Sequence, residues 1–176
     1  MAYKSLSADL KLVRNQIQDN TASPYANSNL AAYPSTSKYV FAFFKKPASS
    51  TATDSELYDR SELSKLPVIV TVTHIANPPH GNLDGSTDLF GVLIRVFAAV
   101  GTKLTFKTVR MEAEELALEK VNEIAYEFKM NLTVQAALAA QGLVLQETGG
   151  ARQIDSPNRQ DFGYATELNF LRQNTS

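Results

Sequence analysis

Residues Met111–Met130 read MEAEELALEKVNEIAYEFKM, and the period of their apolar side chains decides how the rest of the chain can fold. Ala117, Val121, Ile124, Ala125 and Phe128 recur at i, i+4, i+7, i+8 and i+11, with Leu118 and Leu132 extending the same face. This is the period of an amphipathic helix, whose apolar stripe must be buried against another layer. Behind the stripe run Glu115, Glu119, Glu123 and Glu127, each four residues from the last. Like charges at that spacing cost an isolated helix roughly 0.2–0.5 kcal/mol per pair. The series therefore predicts a solvated acidic face, or one met by basic groups of a neighbouring copy.

Upstream, Leu6, Leu10, Val13 and Ile17 mark a first helix, with Ser5 or Ser7 placed to cap it and Asp9 suited to its positive end. Lys38–Phe44, rich in aromatic and β-branched residues, reads as a strand. Leu66–Ile75 is the clearest strand: Pro67 fits only its start or edge, and Val68, Val70, Val72 and His74 then alternate with Ile69, Thr71, Thr73 and Ile75. Leu89–Val100 resumes as an apolar run with Gly91 as a candidate bulge, so the two runs predict an antiparallel pair. After Gly101, TKLTFKTV suits either another strand or a lead into the central helix.

Downstream, Asn131 is placed to bend or recap the helix, and LTVQAALAAQ stays helix-compatible until Gly142, a suitable residue just beyond a helix end. Two short strands follow, with turn signals at Gly149–Gly150 and at Ser156, Pro157 and Asn158. Phe162–Leu171 sets Phe162, Tyr164, Thr166, Leu168 and Phe170 against Gly163, Ala165, Glu167 and Asn169, a half-buried last strand. Grouped strands between helices predict an α+β fold over residues 1–176 as a single domain: a mostly antiparallel sheet with two main helices packed on one face. The connections 19–37, 45–65 and 76–88 are long loops, beyond ordinary length and suited to partner contact. Tyr25, Tyr33 and Tyr58 would be interface anchors on them.

Net charge is −1 from 17 basic and 18 acidic residues, so no summed positive field draws nucleic acid or anionic lipid. With no Cys there is no disulfide, thiolate nucleophile or sulfur-ligated zinc, which suits synthesis in a reducing cytoplasm. The N-terminal MAYKSLSADLKLV lacks the pattern of a secretory signal, and no apolar run reaches the roughly 18 residues of a membrane span. A metal or hydrolytic site would have to draw on His74 and His80, with Asp84 or Asp88, at spacings that match no recognised ligand set. A Gly-x-Ser-x-Gly elbow, a Walker loop and a dinucleotide-binding glycine turn are all missing. The expectation is therefore no catalytic residue, no cofactor and no metal.

The order of elements resembles the tail terminator, or tail-completion, proteins of long-tailed bacteriophages. The likeness rests on an N-terminal helix, a Leu-Pro strand with alternating valines (Leu66–Thr73), a further long strand, a central helix, and a closing turn and strand, SPNRQDFGYATELNFLRQ. It implies a virion protein assembled in the host cytoplasm: a homohexameric ring that caps the tail-tube protein, stops tube growth and receives the head–tail connector or neck protein. Genomic DNA would pass through its lumen without specific binding. A neck or head–tail adaptor ring is the nearest alternative, and a small soluble enzyme or ligand-binding domain the alternative of another class. Tyr25, Tyr33, Tyr58, Glu115, Glu119, Glu123 and Glu127 are the candidate interface residues.

Overall fold

A computed structural model describes residues 5–18, 40–41, 68–75, 87–101, 103–106, 109–155 and 161–173. Its backbone is set by two long strands, β3 (Thr87–Ala99) and β8 (Asp161–Gln173), paired antiparallel along their whole length from Thr87 opposite Gln173 to Ala99 opposite Asp161. β2 (Val68–Ile75) runs antiparallel on the free side of β3, and the short β1 (Val40–Phe41) adds to β2 in parallel. On the other side of β8 lie β6 (Leu143–Thr148) and, further along, β7 (Arg152–Ile154). The order is β1-β2-β3-β8-β6, with β7 also on β8; β4 (Lys103–Phe106) and β5 (Val109–Glu112) form a separate two-stranded sheet. The fold is α+β and mostly antiparallel, as the grouping of strands in the sequence predicts.

Three helices lie among the described residues: α1 (Leu6–Gln18), α2 (Ala113–Met130) and α3 (Leu132–Ala139). The cross-strand register gathers Val68, Val70 and Val72 of β2, Val92, Ile94, Val96 and Ala98 of β3, and Leu168 and Phe170 of β8 into one apolar surface. These side chains join Leu10, Val13 and Ile17 of α1 and Leu116, Val121, Ile124 and Phe128 of α2 in a single buried cluster. Phe170 lies between two rings, 6.2 Å from Phe90 and 6.4 Å from Phe128, the latter edge-on at 73°. Such edge-to-face pairs add about 0.5–1.5 kcal/mol to the burial itself.

The central helix begins two residues later than its periodicity suggests, because Met111 and Glu112 belong to β5. Ala, Leu, Glu and Lys favour helix throughout α2, with Glu114 and Glu115 in its first turn and Lys129 in its last, each complementing the helix dipole. It stops at Asn131, whose backbone N–H still donates to Glu127 O at 2.8 Å. The Asn131 side-chain oxygen then accepts from Thr133 N at 3.0 Å and Val134 N at 3.3 Å, starting α3 on a new axis. Gln135 Nε2 reaches back to Phe128 O (3.1 Å) and Lys129 O (2.6 Å), satisfying carbonyls that the end of α2 leaves open. Gly142, at φ +74°, takes the left-handed turn that ends α3.

Several expectations are corrected. Leu132 does not extend the buried stripe: the change of axis at Asn131 leaves it 76% exposed. Glycine at position 91 makes no bulge, since the register runs unbroken through Ile75, Gly91 and Asn169; a Cβ there would meet Ile75 Cγ1 at 2.6 Å, so the position is one of close packing. The register shift falls instead in β6, between Leu145 and Glu147. Thr87 and Asp88, placed by their polarity in the preceding loop, open β3. Asp9 does lie in the first turn of α1, but it is buried there and accepts from Arg172 Nε at 2.6 Å, while Ser5 Oγ takes the capping bond from Ala8 N.

Candidate functional site

The α2 acidic series does not form one wall. Its members recur every four residues while the helix turns every 3.6, so the line winds around the axis by about 40° per step. Glu115 is exposed, Glu119 and Glu127 are half-buried, and Glu123 is buried. Glu123 Oε2 accepts from Lys120 Nζ at 3.2 Å, both side chains being almost completely enclosed. Glu127 accepts from Asn131 Nδ2 at 3.1 Å. The expectation of a continuous solvated or partner-facing stripe is thus corrected: of the four only Glu115 is exposed, and Glu123 belongs to the interior. A buried, mutually hydrogen-bonded pair is tolerated where a lone charge would not be.

A second buried pair, which sequence reasoning missed, ties the chain's two ends. Arg172 on β8 bonds Asp9 on α1 and lies 3.6 Å from the exposed Asp88 at the start of β3. Three segments far apart in sequence meet at one guanidinium. Nearby elements are knit by shorter links: Arg152 Nη2 to Glu167 Oε1 at 2.5 Å, and Thr166 Oγ1 donating to Gly149 O at 2.7 Å. Tyr164 Oη donates to Glu114 Oε1 at 3.2 Å. Loss of water, that hydrogen bond and the carboxylate charge raise the phenol above its ordinary value of 10.0. The neutral form is therefore favoured in the fold, a contribution present below about pH 10 and lost as pH rises beyond it.

Of the residues considered for metal or acid–base chemistry, His74 is exposed on β2, its ring 5.4 Å from Phe90, opposite Val92 in register. Asp88 lies elsewhere, opposite Arg172. His80 and Asp84 lie outside the described residues, as do Tyr25, Tyr33 and Tyr58, the loops 19–37 and 45–65 and most of 76–88. Among the described residues, no three His, Cys, Asp or Glu side chains gather at one point. No described helix is long and apolar enough to cross a membrane.

The surface features that call for an explanation are apolar groups and strand edges. Tyr126 and Met130, one turn apart on α2, are 60% and 55% exposed, and Leu132 follows at the first position of α3. Scattered exposed apolar residues are ordinary; these three fall within seven residues of one another around the junction of α2 and α3. Among the described residues nothing pairs with the outer edge of β6, and the β4–β5 hairpin joins no other strand. The hairpin is closed by register pairs from Lys103 opposite Glu112 to Phe106 opposite Val109, with an ion pair of 2.8 Å between Lys103 and Glu112.

No protein-family model matches the sequence, and no curated protein is significantly similar to it. What the geometry defines is an α+β protein whose interior holds buried ion pairs and in which, among the described residues, β6 and the β4–β5 hairpin keep an edge that no other strand covers.

Proposed function

We propose that this chain is a structural virion protein that closes into a ring and terminates a phage tail tube, joining it to the head-side connector. The element order supports the reading: an N-terminal helix, a valine-rich strand paired to a longer one, a central helix and a long closing strand. The observation that carries it is the outer edge of β6, which pairs with no other strand among the described residues, together with the exposed apolar residues Tyr126, Met130 and Leu132. Open strand edges are liabilities in a monomer, and cyclic assembly covers each with the next copy. In such a ring Glu115, the exposed member of the α2 series, would be available to a lumen wall, where negative charge repels DNA phosphates and keeps transit free of specific binding.

Mixing the purified protein with growing tail tubes tests this reading. The protein should seat on tube ends and fix their length, as seen by electron microscopy. Binding to isolated connectors with no effect on tubes would favour a neck adaptor instead. Failure to bind either would end the reading.

A further inference from the structure

We infer that Arg95 and Thr71 form a binding site for an oxyanion, a phosphate or a carboxylate, on the face of the main sheet that turns away from α1 and α2. The inference is independent of ring assembly. Along β2 and β3 the side chains of the helix-covered core alternate with a second set. In that second set the register places Thr71 opposite Arg95, Arg95 opposite Ala165, and Ala165 opposite Arg152, one row across β2, β3, β8 and β7. Arg95 is half-buried in the middle of the sheet, yet among the described residues it makes no ion pair or hydrogen bond.

Charges taken out of water are ordinarily paired, because an unpaired one keeps its desolvation cost. Arg152 follows that rule through Glu167, on the same face. The other described carboxylates of this face stand far from the row: Asp161, and Glu147 through its partner Asn169, lie four residues along β8 on either side of Ala165, roughly 13 Å away. Thr71 supplies the second half of the site. It is 0% exposed and its Oγ1 has no hydrogen-bond partner, whereas Thr73, on the same face, settles its hydroxyl on Leu93 O at 3.4 Å. A buried hydroxyl left unbonded is costly, and native folds seldom keep one without a use. An oxyanion answers both groups at once: it accepts from the hydroxyl and, two-pronged, from the guanidinium, with only the small Ala165 on the far side of Arg95. A cation would be repelled, and a neutral ligand would leave the charge unmet. An arginine stem can lie over a neighbour while its head stays at the surface, so the guanidinium is the group that an incoming anion meets first.

Thermal unfolding of the full chain in sodium phosphate, sodium succinate and sodium chloride at equal ionic strength tests the site. Phosphate, succinate or both should raise the midpoint by about 3 °C over chloride. A response to phosphate alone identifies the ligand as a phosphate, and a response to succinate alone as a carboxylate. Arg95→Gln should abolish the difference; Arg95→Lys, which keeps the charge and the fold but loses the fork, should shift the response to about tenfold higher concentration. Thr71→Val should reduce the response while raising the midpoint in chloride, since valine fills the same space without a hydroxyl to satisfy. Circular dichroism checks that each variant is folded. Equal midpoints in the three salts, or a response that Arg95→Gln and Arg95→Lys leave unchanged, would overturn the site. So would a Thr71→Val protein less stable than wild type in chloride, because the hydroxyl would then be satisfied within the fold.

Discussion

The β3–β8–α2 core and the β5–β6 periphery use similar residues to opposite ends. In the core, valines of β2 and β3 lie under helices, and even Lys120, Glu123, Asp9 and Arg172 are enclosed, each charge meeting its opposite. At the periphery, Val109 and Val144 are exposed, and so are Arg110 and Glu147, neither in an ion pair among the described residues. Folding satisfies the first set within one chain. The second set is left at the surface, so if the proposed assembly uses it, substitutions there should separate stability from assembly.

The sharpest break should come at Phe128, 2% exposed and edge-on to Phe170. Phe128→Ala is expected to lower unfolding free energy by about 3–5 kcal/mol in chemical denaturation; a change within error would mean that this face of α2 is not the core. Next is Asp9→Ala, expected to cost about 3 kcal/mol, at the low end for breaking a buried pair because Arg172 keeps Asp88 at 3.6 Å. Replacing the pair together, Asp9→Leu with Arg172→Met, should recover most of that loss. Asn131→Ala removes the two bonds that start α3 and should cost about 1 kcal/mol, seen as a lower denaturation midpoint with unchanged slope. Smallest in stability are Tyr126→Ser and Leu132→Ser, expected within about 0.5 kcal/mol of wild type, yet able to weaken self-association by light scattering. A large loss of stability there would move this corner into the core and blur the contrast.

Much of the core was legible because its signals are periodic. The valine face of β2 and the 3.6-residue stripe through Ala117, Val121, Ile124 and Phe128 do lie inside, although Ile69 and Thr71 on the other face of β2 are buried as well. The same logic failed at Lys120, Glu123, Asp9 and Arg172, because charged residues default to the surface unless a partner is brought to them. For Asp9 and Arg172 that partner is supplied by chain folding over a long sequence separation. Asn131 and Gly142 were readable as punctuation because their chemistry is local. The hairpin stayed ambiguous, since KLTF and VRME are too short for periodicity to separate strand from helix lead-in. Sheet order was beyond reach for the same reason that Asp9 was: the union of β3 with β8 skips the intervening hairpin, helices and short strands. The candidate site was least legible of all, because an open edge is defined by what does not pair with it.

Size-exclusion chromatography with multi-angle light scattering across a dilution series tests the central claim most directly. From a 19.3 kDa chain the account predicts one discrete oligomer with a mass near a small whole multiple of the chain, resolving to a closed ring by negative-stain imaging and loosening as ionic strength rises. A species that holds the mass of a single chain up to the highest concentration reached would contradict it.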